Sequence, residues 1–463
     1  MIQHHSFLVL LLFSATTAAC GGLSFGESSP GGNAGESTYL AGGAIAVDPR
    51  NENIFVLTSP NTADDTPKGL LVVDPDSAEA TPLLDLTGYS NIRIVFPKDR
   101  VLVMGTRNQK QTFFLFDPNS LEMVLEETLD PVAFESQVSP TGEWLLGRGP
   151  FGSGPSVVID MTTLEVHPIV HDGDQILTTW QNKTDQLIAA ISYEDDGENR
   201  LRVFAWDMDK RAEQDWAVVD GTWSEPAVDV VVDDAGLLPF GSTITIAPDD
   251  SAAVFTASTP SADQNPTEGN RLVVIDLSEG TARNVPHAEG PAGFTPDSST
   301  IVAHWLRAED EHQNRYFDLV LIDADTLAPT NIALPKNLEP RFFVSHEGNQ
   351  IVVSKTFGGE GLLLIDAETQ KVITIQGAID TLANYVTRPD RNELWAIDRG
   401  LHRIDLMTGL SERISAAGTP DHINILPSRD ELVLNKGVYD EEQEESLSIF
   451  SMGDKKVRAT LSY

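Results

Sequence analysis

Eight aspartates in this chain each close an apolar run and open a turn: Asp74 in LLVVDPDS, Asp117 in FLFDPNS, Asp160 in VVIDMTT, Asp207 in FAWDMDK, Asp276 in LVVIDLSEG, Asp323 in LVLIDADT, Asp366 in LLLIDAET and Asp405 in HRIDLMTG. Ser451 in SIFSMGD is a ninth, degenerate copy. Acidic side chains repeated this regularly invite a calcium reading. Calcium, however, needs several oxygens converging within one loop, and no DxDxDG spacing occurs. A single carboxylate opening each turn caps backbone N–H groups instead, so the set reads as structural repetition.

Other patterns that could do chemistry dissolve in the same way. Gly147-Arg148-Gly149-Pro150-Phe151-Gly152 fits GxGxxG, but it joins two strands and Pro150 lacks an N–H. Without a helix N-terminus behind it there is no dipole for a pyrophosphate. His167 and His171 are four apart with Pro168 between them in an extended segment, so they share no helical face, and no HExxH is present. His304, beside Trp305 in an expected second strand, reads as packed. Ser153 lies in a Gly-Ser-Gly-Pro loop without a nameable base, and no GxSxG elbow exists. The single cysteine, Cys20, excludes an internal disulfide and a multi-cysteine metal site. The patterns point to no cofactor and no metal.

The formal charge is −39 at pH 7. That excludes a nucleic-acid partner, which requires a basic surface, and disfavours an anionic membrane surface. It fits solubility in an extracytoplasmic medium, attraction of cations or a basic partner, or simple surface solvation.

The elements that carry these residues repeat. The unit is clearest in STITIAPDDSAAVFTASTPSADQNPTEGNRLVVIDLSEGTARNVP, residues 242–286: an apolar strand, a Pro-Asp-Asp-Ser turn, a second strand, a polar loop, a third strand ending at Asp276, a turn and a fourth strand. Its first turn recurs around Pro49, Pro97, Pro140, Lys183, Pro248, Pro296, His346, Pro389 and Pro427. Pro presets φ there, and the Asp, Asn, Ser or Gly that follows accepts backbone hydrogen bonds or supplies positive φ. The two turn types alternate strictly, mostly at intervals of 38 to 50 residues. One interval is wider, and residues 223–241 read as an insertion within it. Four strands per period without helical patterning predict an all-β fold, one β-propeller of four-stranded antiparallel blades. Nine units are visible, which allows seven to nine blades, with one unit possibly an excursion. Trp144, Trp305 and Trp395 are expected at equivalent points of second strands, filling the wedge between sheets. The strand–turn–strand units, as in APDDSAAVFTAS with the apolar-Asp turn, resemble those of the YVTN, lactonase and quinoprotein-dehydrogenase-like propellers. That resemblance covers residue 40 to the C-terminus. It implies the fold, and a site around the central channel in those members that are enzymes.

At the N-terminus FLVLLLF, small residues and then Cys20-Gly21-Gly22 read as a secretory signal over 1–19, too short to span a bilayer. Ending on a solitary cysteine, it resembles a bacterial lipoprotein signal. The resemblance implies lipidation of Cys20 and an outer-membrane or cell-surface location in a Gram-negative envelope, facing periplasm or exterior. Residues 20–38, rich in Gly and Ser, read as a flexible tether, and 39–463 as the propeller.

Connections between second and third strands are long and polar in several units, and equivalent connections emerge on one side of a propeller. They carry Asp64, Asp65, Asp195, Asp196, Glu309, Asp310, Glu311, Asp440, Glu441 and Glu442. This acidic rim is the candidate surface for a basic protein patch or divalent cations. Near the first strands, Arg93, Glu135, Trp180, Arg341, Tyr385 and His422 are candidates for a channel site. The leading functional reading is a non-catalytic, lipid-anchored module that binds a protein or envelope component. It would touch the membrane only through its lipid. The alternative is a periplasmic or secreted enzyme of lactonase or dehydrogenase type with its site at the channel.

Overall fold

In the computed structural model, the described residues are 38–39, 45–58, 69–97, 99–108, 110–129, 135–148, 156–169, 175–195, 198–208, 228–232, 244–258, 270–311, 315–336, 338, 340–344, 350–354, 362–376, 384–436 and 446–462. They form nine antiparallel sheets in chain order. Blade 1 spans 45–85, blade 2 90–129, blade 3 135–169, blade 4 175–232, blade 5 245–286, blade 6 289–333, blade 7 341–374, blade 8 384–414 and blade 9 422–462. The protein is a nine-bladed β-propeller, and all nine repeat units are blades. None is an excursion.

The strands are apolar without alternation because each blade is covered on both faces by its neighbours. Val101–Arg107 and Lys110–Phe116, the second and third strands of blade 2, are buried at nearly every position. Outer strands alternate, as in Pro329–Ala333, because their far edge meets water. The core is accordingly nine separate clusters, one per pair of adjacent blades. Phe55, Leu70, Val103 and Phe114 lie between blades 1 and 2, and Val352, Leu364, Leu394 and Ile404 between blades 7 and 8. The ninth cluster joins Ile45, Ile54, Val56 and Val73 of blade 1 to Leu426, Val433, Leu447 and Ile449 of blade 9. The ring therefore closes with both terminal blades complete and no strand exchanged between them.

Both turn types lie on one face, the turn face. Connections between first and second strands run from 4 to 6 residues in all nine blades. At the third-to-fourth turns, Oδ1 of Asp117 accepts from the N–H groups of Asn119 and Ser120, both at 2.9 Å. Oδ1 of Asp405 accepts from Met407 at 2.9 Å and Thr408 at 3.0 Å. Four residues after each aspartate the chain turns left-handed, at Ala78, Leu121, Leu164, Gly280, Leu327, Gln370 and Gly409. The first-to-second turns do something the sequence did not reveal: they bond across blades. Glu52, Asp250, Ser298 and Asp430 sit at the left-handed position of their own turns, and their side chains accept from the turn of the preceding blade. Asp250 takes the N–H groups of Asn182 (2.7 Å) and Lys183 (2.9 Å), Ser298 that of Asp249 (3.2 Å), and Asp430 the guanidinium of Arg388 (2.8 Å). At the seam Glu52 accepts from the Ser428 N–H (2.8 Å) and from Arg429 Nε (2.9 Å). Arg429 also pairs with Asp76.

Three sequence expectations are corrected. The stretch 223–241 is not wholly an insertion, because Val228–Val232 pairs with Leu201–Ala205 as the fourth strand of blade 4. The tryptophans are not equivalent: Trp144 stands opposite Asp160, Trp395 opposite Arg403 and Trp305 opposite Asp318, since the second strands differ in length and start. Trp144 and Trp395 are buried wedges as expected. Finally, Thr38, placed in the tether, is in a strand with Tyr39 that pairs antiparallel with the inner strand of blade 2.

Two predictions follow from the turn face. Glu52→Ala strips the partner from the Ser428 N–H and from a half-enclosed guanidinium; it should cost about 2–4 kcal/mol, less than a fully buried pair would. Urea midpoints check this, and a loss below about 0.5 kcal/mol, the usual scale of surface substitutions, would show that the seam is carried by apolar contact alone. The second concerns acid. Hydrogen bonds hold three turn carboxyls below their ordinary range: the Ser120 N–H on Asp117, the Glu279 N–H on Asp276 and the Thr326 hydroxyl on Asp323. Depressed carboxyls give their full contribution above the unfolded value near about 4 and lose it as pH falls through the folded values. Relief of repulsion among 70 acidic side chains opposes this. A triple variant, Asp117→Asn, Asp276→Asn and Asp323→Asn, keeps the acceptor oxygens and should lose less stability than the parent between about pH 5 and pH 2. An unchanged acid profile would discount the turns.

Candidate functional site

Inner strands begin on the face opposite the turns, and the second-to-third connections emerge there too. Their lengths run from 2 to 11 residues, against 4 to 6 for the first-to-second turns. Among the candidates of the acidic rim, Asp64, Asp65, Asp196, Asp440, Glu441 and Glu442 lie outside the described residues, as does Cys20. Asp195 and Glu309 are not in loops. The second and third strands of blade 4 continue as a hairpin until Asp195 stands opposite Glu198, and those of blade 6 until Glu309 stands opposite Arg315. Alternating Tyr, Ile, Leu and Val carried by both hairpin arms sustain pairing past the end of the inner strand. Asp310 is half-buried and Glu311 exposed at the blade 6 tip, where the Tyr316 hydroxyl donates to Asp310 Oδ2 at 3.4 Å.

The channel candidates are spread over six blades. Arg93 is half-buried in the inner strand of blade 2, opposite Tyr39 and Met104. Glu135 opens the inner strand of blade 3 opposite Arg148, and Arg341 opens that of blade 7 opposite Ser354. Tyr385 is half-buried against the apolar set between blades 7 and 8. His422 opens the inner strand of blade 9 opposite Asn435; burial lowers its pKa, against the pull of Asp421. Trp180 is not at a channel mouth. It ends Gln175–Trp180 rather than beginning it, at 1% exposure in the core between blades 3 and 4. There Gln137, also fully buried, organises the contact: its Oε1 accepts from the Thr179 hydroxyl and the Trp180 N–H, both at 3.2 Å, and its carbonyl from the indole N–H at 3.0 Å. A glutamine between apolar flanks of an inner strand was the only sequence signal for this link.

The inner edge of blade 6 holds the densest polar grouping on the loop-bearing side. Glu289 opens the inner strand and faces His304 in register. Its Oε1 accepts from the Leu306 N–H at 3.3 Å and lies 3.9 Å from His304 Nε2, too far for a hydrogen bond. The His304 ring packs edge-on against Phe317, with 5.7 Å between centroids. His304 Nδ1 has no hydrogen-bond partner among the described residues. Burial lowers the imidazole pKa to about 4, so near neutral pH it is uncharged. On the blade's other side Asp318 Oδ2 accepts from Asn331 at 3.4 Å, and Asp318 Oδ1 lies 3.6 Å from Arg307 Nε. No nucleophile with a bonded base is present among these groups. Among the described residues no three His, Cys, Asp or Glu side chains converge on a metal position.

No protein-family model and no curated protein matches the chain. Solved structures do resemble it. A structure of the dihydro-heme d1 dehydrogenase NirN is 15% identical, with a TM-score of 0.45 over 92% of this chain and 78% of that one. A eukaryotic initiation factor is 9% identical, with a TM-score of 0.48 over 93% and 96%. An oligogalacturonate lyase from Vibrio parahaemolyticus is 12% identical, with a TM-score of 0.38 over 90% and 97%. Identities and overlaps this low bear on no activity of this chain.

His304 provides a test of the site's packing. Its folded pKa lies below the unfolded value near about 6.5, so the unfolded chain binds the proton more readily. Stability should fall as pH drops from about 7 to about 4, with up to about 3 kcal/mol of that loss due to this residue. In His304→Met the same interval should be flatter when followed by urea denaturation. Parallel profiles would mean that His304 is protonated in the folded protein.

Proposed function

We propose that this protein is a lipid-anchored extracytoplasmic propeller that binds a protein or envelope component through the face carrying the second-to-third connections, without catalysing a reaction. The observation that carries the reading is the unequal treatment of the two faces. On the turn face the first-to-second turns hold nearly one length and their side chains bond to the next blade. On the opposite face the length is free to vary between 2 and 11 residues. A connection whose length the ring does not dictate can be shaped for a partner, and insertions gathered on one face of a repeat protein mark its binding face. The negative surface suits a basic partner, whose encounter would be steered and salt-sensitive. The narrower resemblance to YVTN-type and lactonase-like propellers belongs to the same proposal, as does the Gram-negative envelope location implied by the residues before Cys20.

The enzymatic alternative would need its groups gathered at the channel. Trp180 is sealed in an inter-blade core and Tyr385 is set against another, which favours the binding reading.

A photo-crosslinking residue at Arg399, on the second-to-third connection of blade 8, should trap a defined envelope protein in living cells. The same residue at Asp325, on a third-to-fourth turn, should not. Changing Asp440, Glu441, Glu442, Glu444 and Glu445 to their amides should weaken the trapped contact at least threefold. Crosslinks confined to Asp325, or a contact indifferent to the amide changes, would overturn the acidic-rim reading. Turnover of lactones or alcohols that is abolished by His422→Ala would overturn the non-catalytic one.

A further inference from the structure

Thr38–Tyr39 forms a fifth strand on blade 2, in the sheet order that places it outside Ser90–Val95. Ser90–Val95 is the innermost strand of its blade, so its open edge lines the central channel. The added strand therefore lies in the channel, by the same edge pairing with which extended peptides augment sheets. Its direction matters. Ser90–Val95 runs from the loop-bearing face towards the turn at 96–100, and the pairing is antiparallel, with Thr38 opposite Ile94 and Tyr39 opposite Arg93. Thr38 is thus the end nearer the turn face. Followed backwards from Thr38, the chain heads out of the channel through that face.

We propose that the segment before Thr38 emerges at the turn face, so that an acyl group on Cys20 holds the turn face towards the bilayer and presents the loop-bearing face away from it. This rests on the lipid-anchored reading above and adds an orientation to it. The magnitudes favour it over the reverse. Eighteen residues separate Cys20 from Thr38, and a Gly/Ser-rich chain of that length has a typical span of about 23 Å. Reaching the opposite face from the turn-face mouth means crossing the blade radially, about 14 Å for four strands, and climbing its height, about 20 Å for six residues. That path of about 34 Å lies within the fully extended limit of about 60 Å, but it exceeds the typical span and would hold the tether taut. The charge of the turn face does not oppose the arrangement. Asp76, Asp325 and Glu368 are exposed there, and anionic lipid would repel them. A stand-off of about 23 Å is nearly three Debye lengths at physiological salt, so that repulsion is largely screened.

The test uses the chain from Cys20 onward, its one thiol coupled to a maleimide phospholipid in phosphatidylcholine vesicles that also carry an energy-transfer acceptor lipid. A donor is clicked to p-azidophenylalanine at Glu368 on the turn face or at Arg399 on the loop-bearing face. Transfer from 368 should exceed that from 399 at least twofold, and Tyr39→Pro, which removes an N–H from the added strand, should bring the two together. Equal or reversed transfer in the parent overturns the orientation, and a difference that survives Tyr39→Pro overturns the added strand as its cause. The intact mass of the mature protein from its own cell is read separately. An unmodified Cys20 there overturns the anchoring and with it the orientation in the cell, whereas a lipidated Cys20 with reversed transfer overturns the orientation alone.

Discussion

No blade of this protein can bury itself. A four-stranded sheet of valines, leucines and isoleucines has two apolar faces, and both are covered only when a blade stands on either side. Nine sheets therefore make nine interfaces, and the fold holds only if the last interface, between blades 9 and 1, is made as well as the others. Eight fully buried aliphatic side chains meet there. At roughly 1.5–3 kcal/mol each, they represent an upper limit of about 12–24 kcal/mol of gross stabilisation. The Glu52 contacts add a few kcal/mol at most. Apolar burial thus closes the ring. The carboxylate and its two donors set how the terminal blades are phased around the axis, which non-directional burial leaves free.

The same comparison explains why the turn face is uniform. A hydrogen bond from one turn to the next tolerates only a few tenths of an ångström, so any blade with a longer first turn would lose its partner on one side and strand a donor on the other. Left-handed residues at the ends of these turns aim the side chain towards the preceding blade. Glutamate, aspartate and serine all serve, because what is required is an acceptor oxygen at the right reach rather than one residue type.

That freedom of residue type decided what could be read from the sequence. The blades were legible because period, strand composition and turn chemistry all repeat within 38 to 50 residues, and the Asp turns were legible as caps because donor and acceptor lie two or three residues apart. The cross-blade bonds were not, because partners such as Asn182 and Asp250 lie 68 positions apart and each residue already had a local explanation as a turn former. Trp180 was misplaced because the strand was taken to begin where it ends. The hairpins of blades 4 and 6 were read as loops because acidic residues in a polar stretch look the same whether or not they pair. Of the candidate rim, only Asp310 and Glu311 can be described with their side chains, and the channel candidates are scattered rather than convergent, so the sequence located a face but not a site within it.

Thr38–Tyr39 shows the limit most directly. Two residues carry no period and no pattern, and nothing in their types distinguishes strand from tether. What recruits them is a vacancy in the fold. Every inner strand exposes one edge of unpaired N–H and C=O groups to the channel, and an extended segment arriving there satisfies some of them. Blade 2 receives it because the segment must next reach the start of blade 1, at the same face and one blade away, through only the residues 40–44. The polarity of that short strand then carries information that no side chain does. It fixes the face at which the preceding chain emerges, and so couples a property of the N-terminal segment to the division of labour between the two faces of the ring.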